Sequence, residues 1–182
     1  MTVEIIKNPG NPLCVFGLLD TEKGNIIADE MLAWLRPHYT VHIVRHDGKQ
    51  FEQPALRYMQ DLQKKTNRPC LYLHTKGACF RDELSEKVRR MWKEQFAENG
   101  KQYFDAVKGS KPRVAAPIFS PEGKSWYNGF VANAAAMRTI PEIVPDEFRW
   151  RFERLFLNQD AVERIGVLDT VKHSDVWLYN NY

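Results

Sequence analysis

The residues best equipped for chemistry stand together at positions 74–77: His74, Thr75, Lys76 and Gly77 close an apolar run that begins at Cys70. Lys76 carries a compact, flexible positive charge suited to phosphate. Thr75 adds a hydroxyl, and Gly77 removes a side chain so that backbone N–H groups can approach a ligand. His74 can donate, accept or titrate near neutrality. Together the four could cradle a diphosphate. Their competing structural role is a strand-to-loop turn, with Lys76 solvated and His74 bonded to a backbone carbonyl. The G-x-x-x-x-G-K-[ST] spacing of a P-loop is absent. Zinc is set aside as well: no Cys-x-x-Cys pair exists. Along a strand, Cys70 and His74 would project to one face about 13 Å apart.

The surrounding elements must place these residues. Residues 12–20, PLCVFGLLD, are almost continuously apolar, the pattern of a strand covered on both faces. Residues 20–25 read as a loop, and 26–35 as a helix with Ile27, Met31, Trp34 and Leu35 on one face, stopped by Pro37. YTVHIVRHDG reads as a strand ending at Asp47-Gly48. QPALRYMQDLQKK is a helix with Pro54 near its start and Leu56, Met59 and Leu62 as its apolar stripe. CLYLHTKG is the next strand. Residues 82–97 form the clearest helix, with Leu84, Val88, Met91, Trp92 and Phe96 on one face and Glu83/Lys87 spaced for pairing.

A strand follows at 113–119, then a polar loop from Ser120 to Trp126. NGFVANAAAMRTIP begins as a short strand and turns helical, with Asn133 as N-cap. PDEFRWRFERLFLNQD reads as another helix, capped by Asp146 with Phe148, Phe152, Leu155 and Phe156 inward, and the tail from 166 adds an edge strand. Strands alternate with helices over the first 120 residues, which predicts an α/β three-layer sandwich with a mostly parallel sheet. In such sheets ligands bind outside the carboxyl ends of the strands, and HTKG is the strand end richest in usable chemistry.

Composition narrows the function. A chain of 182 residues, 43% hydrophobic and 27% charged, suits one domain with a sizeable core. The net charge of +3 is spread along the chain without a basic stripe, which argues against nucleic acid as a partner. No apolar stretch approaches the ~18 residues of a membrane span. The N-terminus lacks a signal-peptide core, and the three cysteines, Cys14, Cys70 and Cys79, are odd in number, so free thiols in a reducing cytoplasm are expected.

In order, Pro54 and Leu56, Tyr72 to Gly77, the tryptophan-bearing helix, Trp126 to Pro141, and Arg149 to Phe156 resemble a family of small bacterial glycosyltransferase-like proteins whose signature is a strand ending Y-x-H-T-K-G. The resemblance spans roughly residues 13–160. It implies a glycosyltransferase A-type fold, a nucleotide-sugar donor and a glycan or other hydroxyl acceptor, in surface polysaccharide synthesis. Most such enzymes carry Asp-x-Asp at this strand end to hold a divalent metal against the donor. Here His74-Thr75-Lys76 stands there. Lys76 could neutralise the leaving diphosphate instead, so the resemblance implies donor binding with no metal ligands and Mn²⁺ or Mg²⁺ as an accessory at most. Without the metal-binding acids, the alternative is a non-catalytic binding or assembly protein on the same fold. A second departure is Tyr127-Asn128-Gly129-Phe130 where the family has Ser-Gly-Asn before its aromatic pair.

The resemblance also assigns roles. Inverting transfer needs a general base. Glu153 lies near where such enzymes place an acid, between Phe152 and Phe156, where burial raises a carboxylate pKa. Its competing role is an exposed glutamate flanked by Arg151 and Arg154. Asp160 is a second candidate. Asp47 would contact the nucleoside, against an ordinary Asp-Gly turn. Asn128 and Gly129 would line the acceptor pocket, Gly129 by allowing close approach, and Trp126 would stack on a sugar. Trp92 reads as core by its register.

Overall fold

Leu13 to Leu18 are all buried, so this segment is covered on both faces, as its composition requires. The computed structural model describes residues 1–49, 52–75, 83–119, 129–144, 155–156 and 159–168. Among them are seven strands: β1 (Thr2–Ile6), β2 (Leu13–Leu19), β3 (Thr40–His46), β4 (Cys70–His74), β5 (Arg113–Ala116), β6 (Phe130–Ala132) and β7 (Glu163–Gly166). They form one sheet in the order β1-β3-β2-β4-β6-β5-β7. β2 lies parallel to both β3 and β4, and β5 parallel to β7. β1 and β6 run against their neighbours. The sheet is therefore mixed, where the alternation of elements suggested a mostly parallel one. The difference comes from β1, which precedes the first expected strand, and from β6, which returns between two strands of the opposite direction.

Register carries the two-faced pattern across the sheet. One row runs Thr40, Leu13, Cys70, Ala132, Val114, Arg164. Cys14, Phe16 and Leu18 share one face with Val41, Ile43, Leu71 and Leu73, under α1 (Glu22–Leu35), α3 (Glu83–Trp92) and α4 (Gly100–Ala106). Leu13, Val15, Cys70 and Tyr72 face the other way, under α2 (Gln53–Thr66) and α5 (Ala134–Thr139). Cys14 and Cys70 thus lie on opposite faces. Burial raises both thiols, Cys70 to about 12, so neither is a thiolate at neutral pH. No helix among the described residues is long and apolar enough to cross a membrane.

Helix boundaries follow from capping. α1 begins four residues before the expected start, because the Thr21 hydroxyl accepts from the Gly24 N–H at 3.0 Å and turns the expected loop into a first turn. Asn133 caps α5 as expected, and it does more. Its Oδ1 accepts from the N–H groups of Ala136 (2.9 Å) and Arg113 (3.1 Å), while its Nδ2 donates to the carbonyls of Lys111 (2.7 Å) and Val107 (3.0 Å). α3 continues without a break into a π-helical turn, Lys93–Glu98, and α4 follows; neither was expected from the apolar pattern. Tyr39 donates its hydroxyl proton to the carbonyl of Phe96 in that turn.

α2 packs with Leu56 and Met59 buried, as its stripe predicts, and adds buried glutamines. Gln60 donates to the carbonyls of Met137, Ile140 and Pro141 and accepts from the Ile143 N–H. Gln63 donates to the carbonyl of Ala132 at 2.8 Å. These contacts tie α2 to the end of β6 and to the segment leaving α5. Residues 145–154, with the expected helix and its cap Asp146, lie outside the described residues, but Phe156 is buried against Phe130. The edge strand expected in the tail from 166 falls, beyond 168, outside the described residues; among those described, β7 forms this edge of the sheet.

Two stability outcomes follow. Asn133→Ala removes the hydrogen bonds to Ala136, Arg113, Lys111, Val107 and Gly109 from a side chain that is 5% exposed. It is expected to cost about 2–4 kcal/mol in urea denaturation. His42 is buried beside the Tyr58 hydroxyl, 2.8 Å from its Nδ1, and desolvation holds its pKa below the usual value. The folded chain therefore binds fewer protons than the unfolded chain once pH falls under about 6.5. Stability should be complete above that pH and decline as pH falls toward the folded-state pKa. His46, shifted the same way by burial, adds to the slope. In chemical denaturation across pH, His42→Gln should flatten part of this decline; an unchanged slope would refute the assignment.

Candidate functional site

The carboxyl ends of β2, β3 and β4 lie side by side, and their last backbone groups need partners once the strands diverge. Thr75 supplies two. Its N–H donates to the Gly17 carbonyl at 2.9 Å, and its hydroxyl accepts from the Leu19 N–H at 3.0 Å. The Asp20 N–H closes the other side on the His46 carbonyl at 2.9 Å. Thr75 is 6% exposed. Its hydroxyl is thus a fastening between two strands first.

His74 stands on the same face as Tyr72, and Gly17 is opposite it in β2. The His74 ring stacks on Tyr72 with centroids 6.1 Å apart and meets Trp92 edge-on at 5.4 Å. Its Nε2 lies 3.5 Å from Oε1 of Glu52, at the start of α2. The other carboxylate oxygen, Oε2, accepts from the Tyr72 hydroxyl, also at 3.5 Å. Burial, then the Glu52 charge, pushes the Tyr72 phenol well above its usual pKa, so it stays a proton donor. Carboxylate, imidazole and phenol therefore form one cluster at the sheet edge. Gly17 permits it: a Cβ there would come within 3.1 Å of the Ala55 Cβ and 3.4 Å of both the His74 Cβ and the Tyr72 hydroxyl.

Trp92 closes the opposite side of this edge. It is fully buried, and its indole N–H has no hydrogen-bond partner among the described residues. A Cβ on Gly129 would sit 2.3 Å from Nε1. The close approach that Gly129 allows is therefore made by the Trp92 indole.

The remaining candidates are dispersed. Asp47 is exposed at the end of β3, where its carboxylate accepts from the Lys49 N–H at 3.1 Å and pairs with the Lys49 ammonium at 3.6 Å. That backbone hydrogen bond, followed by the lysine charge, lowers its pKa. Gly48 takes φ +80°, and its N–H donates to Nδ1 of His46 at 3.3 Å. Asp47 thus forms an Asp-Gly turn at the correct end of the sheet. Asp160 is exposed in the turn leading into β7, which runs in the same direction as β4. It lies at the amino end of these strands, away from His74, and the fold does not bring the two together. Lys76, Gly77, Trp126, Asn128 and Glu153 lie outside the described residues. No protein-family model, curated protein or solved structure matches the chain.

Glu52 was missed from sequence. The signal available was an acid two residues before Pro54, at a helix start that follows a parallel strand and so faces the ligand edge. The Thr75 fastening is open to test by urea denaturation. Thr75→Val leaves the Leu19 N–H without its acceptor. It should cost about 1–3 kcal/mol, whereas Thr75→Ser keeps most of that stability; equal costs would show that the hydroxyl does not carry the contact.

Proposed function

We propose that this chain binds a nucleotide-diphosphate sugar at the carboxyl edge of β2, β3 and β4 and transfers the sugar to a hydroxyl of a glycan acceptor, on a glycosyltransferase A-type fold. The observation that carries the reading is the end of β4. Thr75, the residue before Lys76 in sequence, is fastened to β2 through both its N–H and its hydroxyl at the ligand-binding edge. Beside it stand a carboxylate and an imidazole within 3.5 Å of each other. A lysine at that point offsets charge on the departing diphosphate, the term that contributes most to such transfers. Five of the seven strands share one direction, with helices on both faces, an arrangement compatible with a nucleotide-binding sandwich.

The test is thermal unfolding with UDP-, GDP-, CMP- and dTDP-sugars, each with Mn²⁺ and with EDTA. A donor present at a hundred times its Kd stabilises by about 2.7 kcal/mol. For a chain of this size that raises Tm by about 5–10 °C. The shift is expected with one nucleotide class, to persist in EDTA, and to be lost in Lys76→Ala. No shift with any donor, or an unchanged shift in Lys76→Ala, would overturn the reading. Binding without transfer would turn it into that of a non-catalytic binding protein.

A further inference from the structure

We infer that Glu52 is the general base of this site, the group that takes the proton from the attacking hydroxyl; the inference rests on the transferase reading above. Three observations lead there. First, the Glu52 side chain does not cap its own helix with a hydrogen bond. Thr21 and Asn133 cap α1 and α5 with side-chain hydrogen bonds, whereas Glu52 occupies the N-cap of α2 without making one. Glutamate is not among the preferred N-cap residues. Its carboxylate turns to β4 instead.

Second, the carboxylate is held by rings that are themselves held. Tyr72 is fully buried and tilted against Phe130 at 5.4 Å, and His74 is lodged between Tyr72 and Trp92. Each carboxylate oxygen has one of these rings within 3.5 Å: Oε1 faces His74 Nε2, and Oε2 faces the Tyr72 hydroxyl. A base fixed in this way needs little reorganisation when the hydroxyl arrives.

Third, it is reachable. The Glu52 side chain keeps 19% of its surface exposed and the His74 side chain 12%, at a sheet end where Tyr72 and Trp92 are fully buried. Asp160, the described carboxylate proposed from sequence as a base, lies at the opposite end of the strands.

The step balances as follows. The acceptor hydroxyl gives its proton to Glu52, and its oxygen electron pair forms the new bond to the anomeric carbon of the donor sugar. The bond from that carbon to the diphosphate breaks, and its electron pair leaves with the nucleotide. Glu52 then returns the proton to solvent. His74 and Tyr72 act as positioning residues for the carboxylate.

The test uses the full chain and the same donor panel, reading nucleotide release and the donor-induced Tm shift in parallel. Glu52→Gln keeps the size and an acceptor oxygen but cannot take a proton. It should lower kcat for release about 100- to 10,000-fold, with the donor shift retained. Glu52→Asp keeps a carboxylate one methylene short; it should recover part of that loss, and it carries the test if Glu52→Gln does not fold. Release within about threefold of wild type in Glu52→Gln would overturn the assignment. So would loss of the donor shift together with activity, which would make Glu52 a donor-binding group, or loss of release in Glu153→Gln alone. If the wild-type chain neither shifts nor releases nucleotide, the transferase reading fails and the base assignment with it. If it does both and Glu52→Gln does too, only the base assignment fails.

Discussion

Burial of β2 and β4 on both faces is the constraint from which the rest follows. A strand covered above and below leaves no water for its backbone, so every N–H and C=O along it must be paired within the protein. Along the strands the ladders do this. At the carboxyl end, where β4 departs, the Leu19 N–H would lose its partner, and the Thr75 hydroxyl takes the place of a backbone carbonyl. A side chain that completes a ladder fixes the exit point of the chain more tightly than a solvated turn would. His74, the last residue of the strand, inherits that definition.

The same edge depends on absent side chains. With α2 on one face and α3 on the other, side chains from both layers crowd the end of the sheet. Gly17 lets Ala55, His74 and Tyr72 meet over β2, and Gly129 lets the Trp92 indole lie against β6. A Cβ at Gly129 would displace the Trp92 indole, and one at Gly17 would press on Ala55, His74 and Tyr72 at 3.1–3.4 Å. The cluster of Glu52, His74 and Tyr72 is thus a consequence of close packing rather than a feature laid over it. The buried glutamines of α2 serve the same end: Gln60 binds the backbone at the end of α5 and beyond it and Gln63 the end of β6, so that they fix the helix whose first residues lie beside β4.

Sequence reading reached the strands and helices whose patterns are set by two-sided or one-sided burial: residues 13–19, 40–46, 70–74 and the helices over α1, α2 and α3. It failed where burial is partial or the partner is remote. β1 was missed because it is an edge strand with Val3 and Ile5 exposed, so it shows no clean alternation. The π-helical turn departs from the 3.6-residue period on which helix reading rests. Asn133 was legible as a cap because capping is local, whereas its bonds to Val107 and Lys111 span more than 20 residues and leave no local trace. His74 and Thr75 were legible as a strand end, but Glu52 lies 22 residues before His74 and meets it only through the β–α crossover.

At this edge a carboxylate that keeps about a fifth of its surface stands among buried rings, 3.5 Å from His74 and from the Tyr72 hydroxyl. Elsewhere the local rules agree: strands buried on two faces are apolar, and α1 and α5 carry side-chain caps. At the sheet end where the parallel strands present their carboxyl termini, polar side chains gather among buried aromatic rings instead. Sites at which local preference yields are where function is expected, and here they coincide with the edge that topology reserves for a ligand.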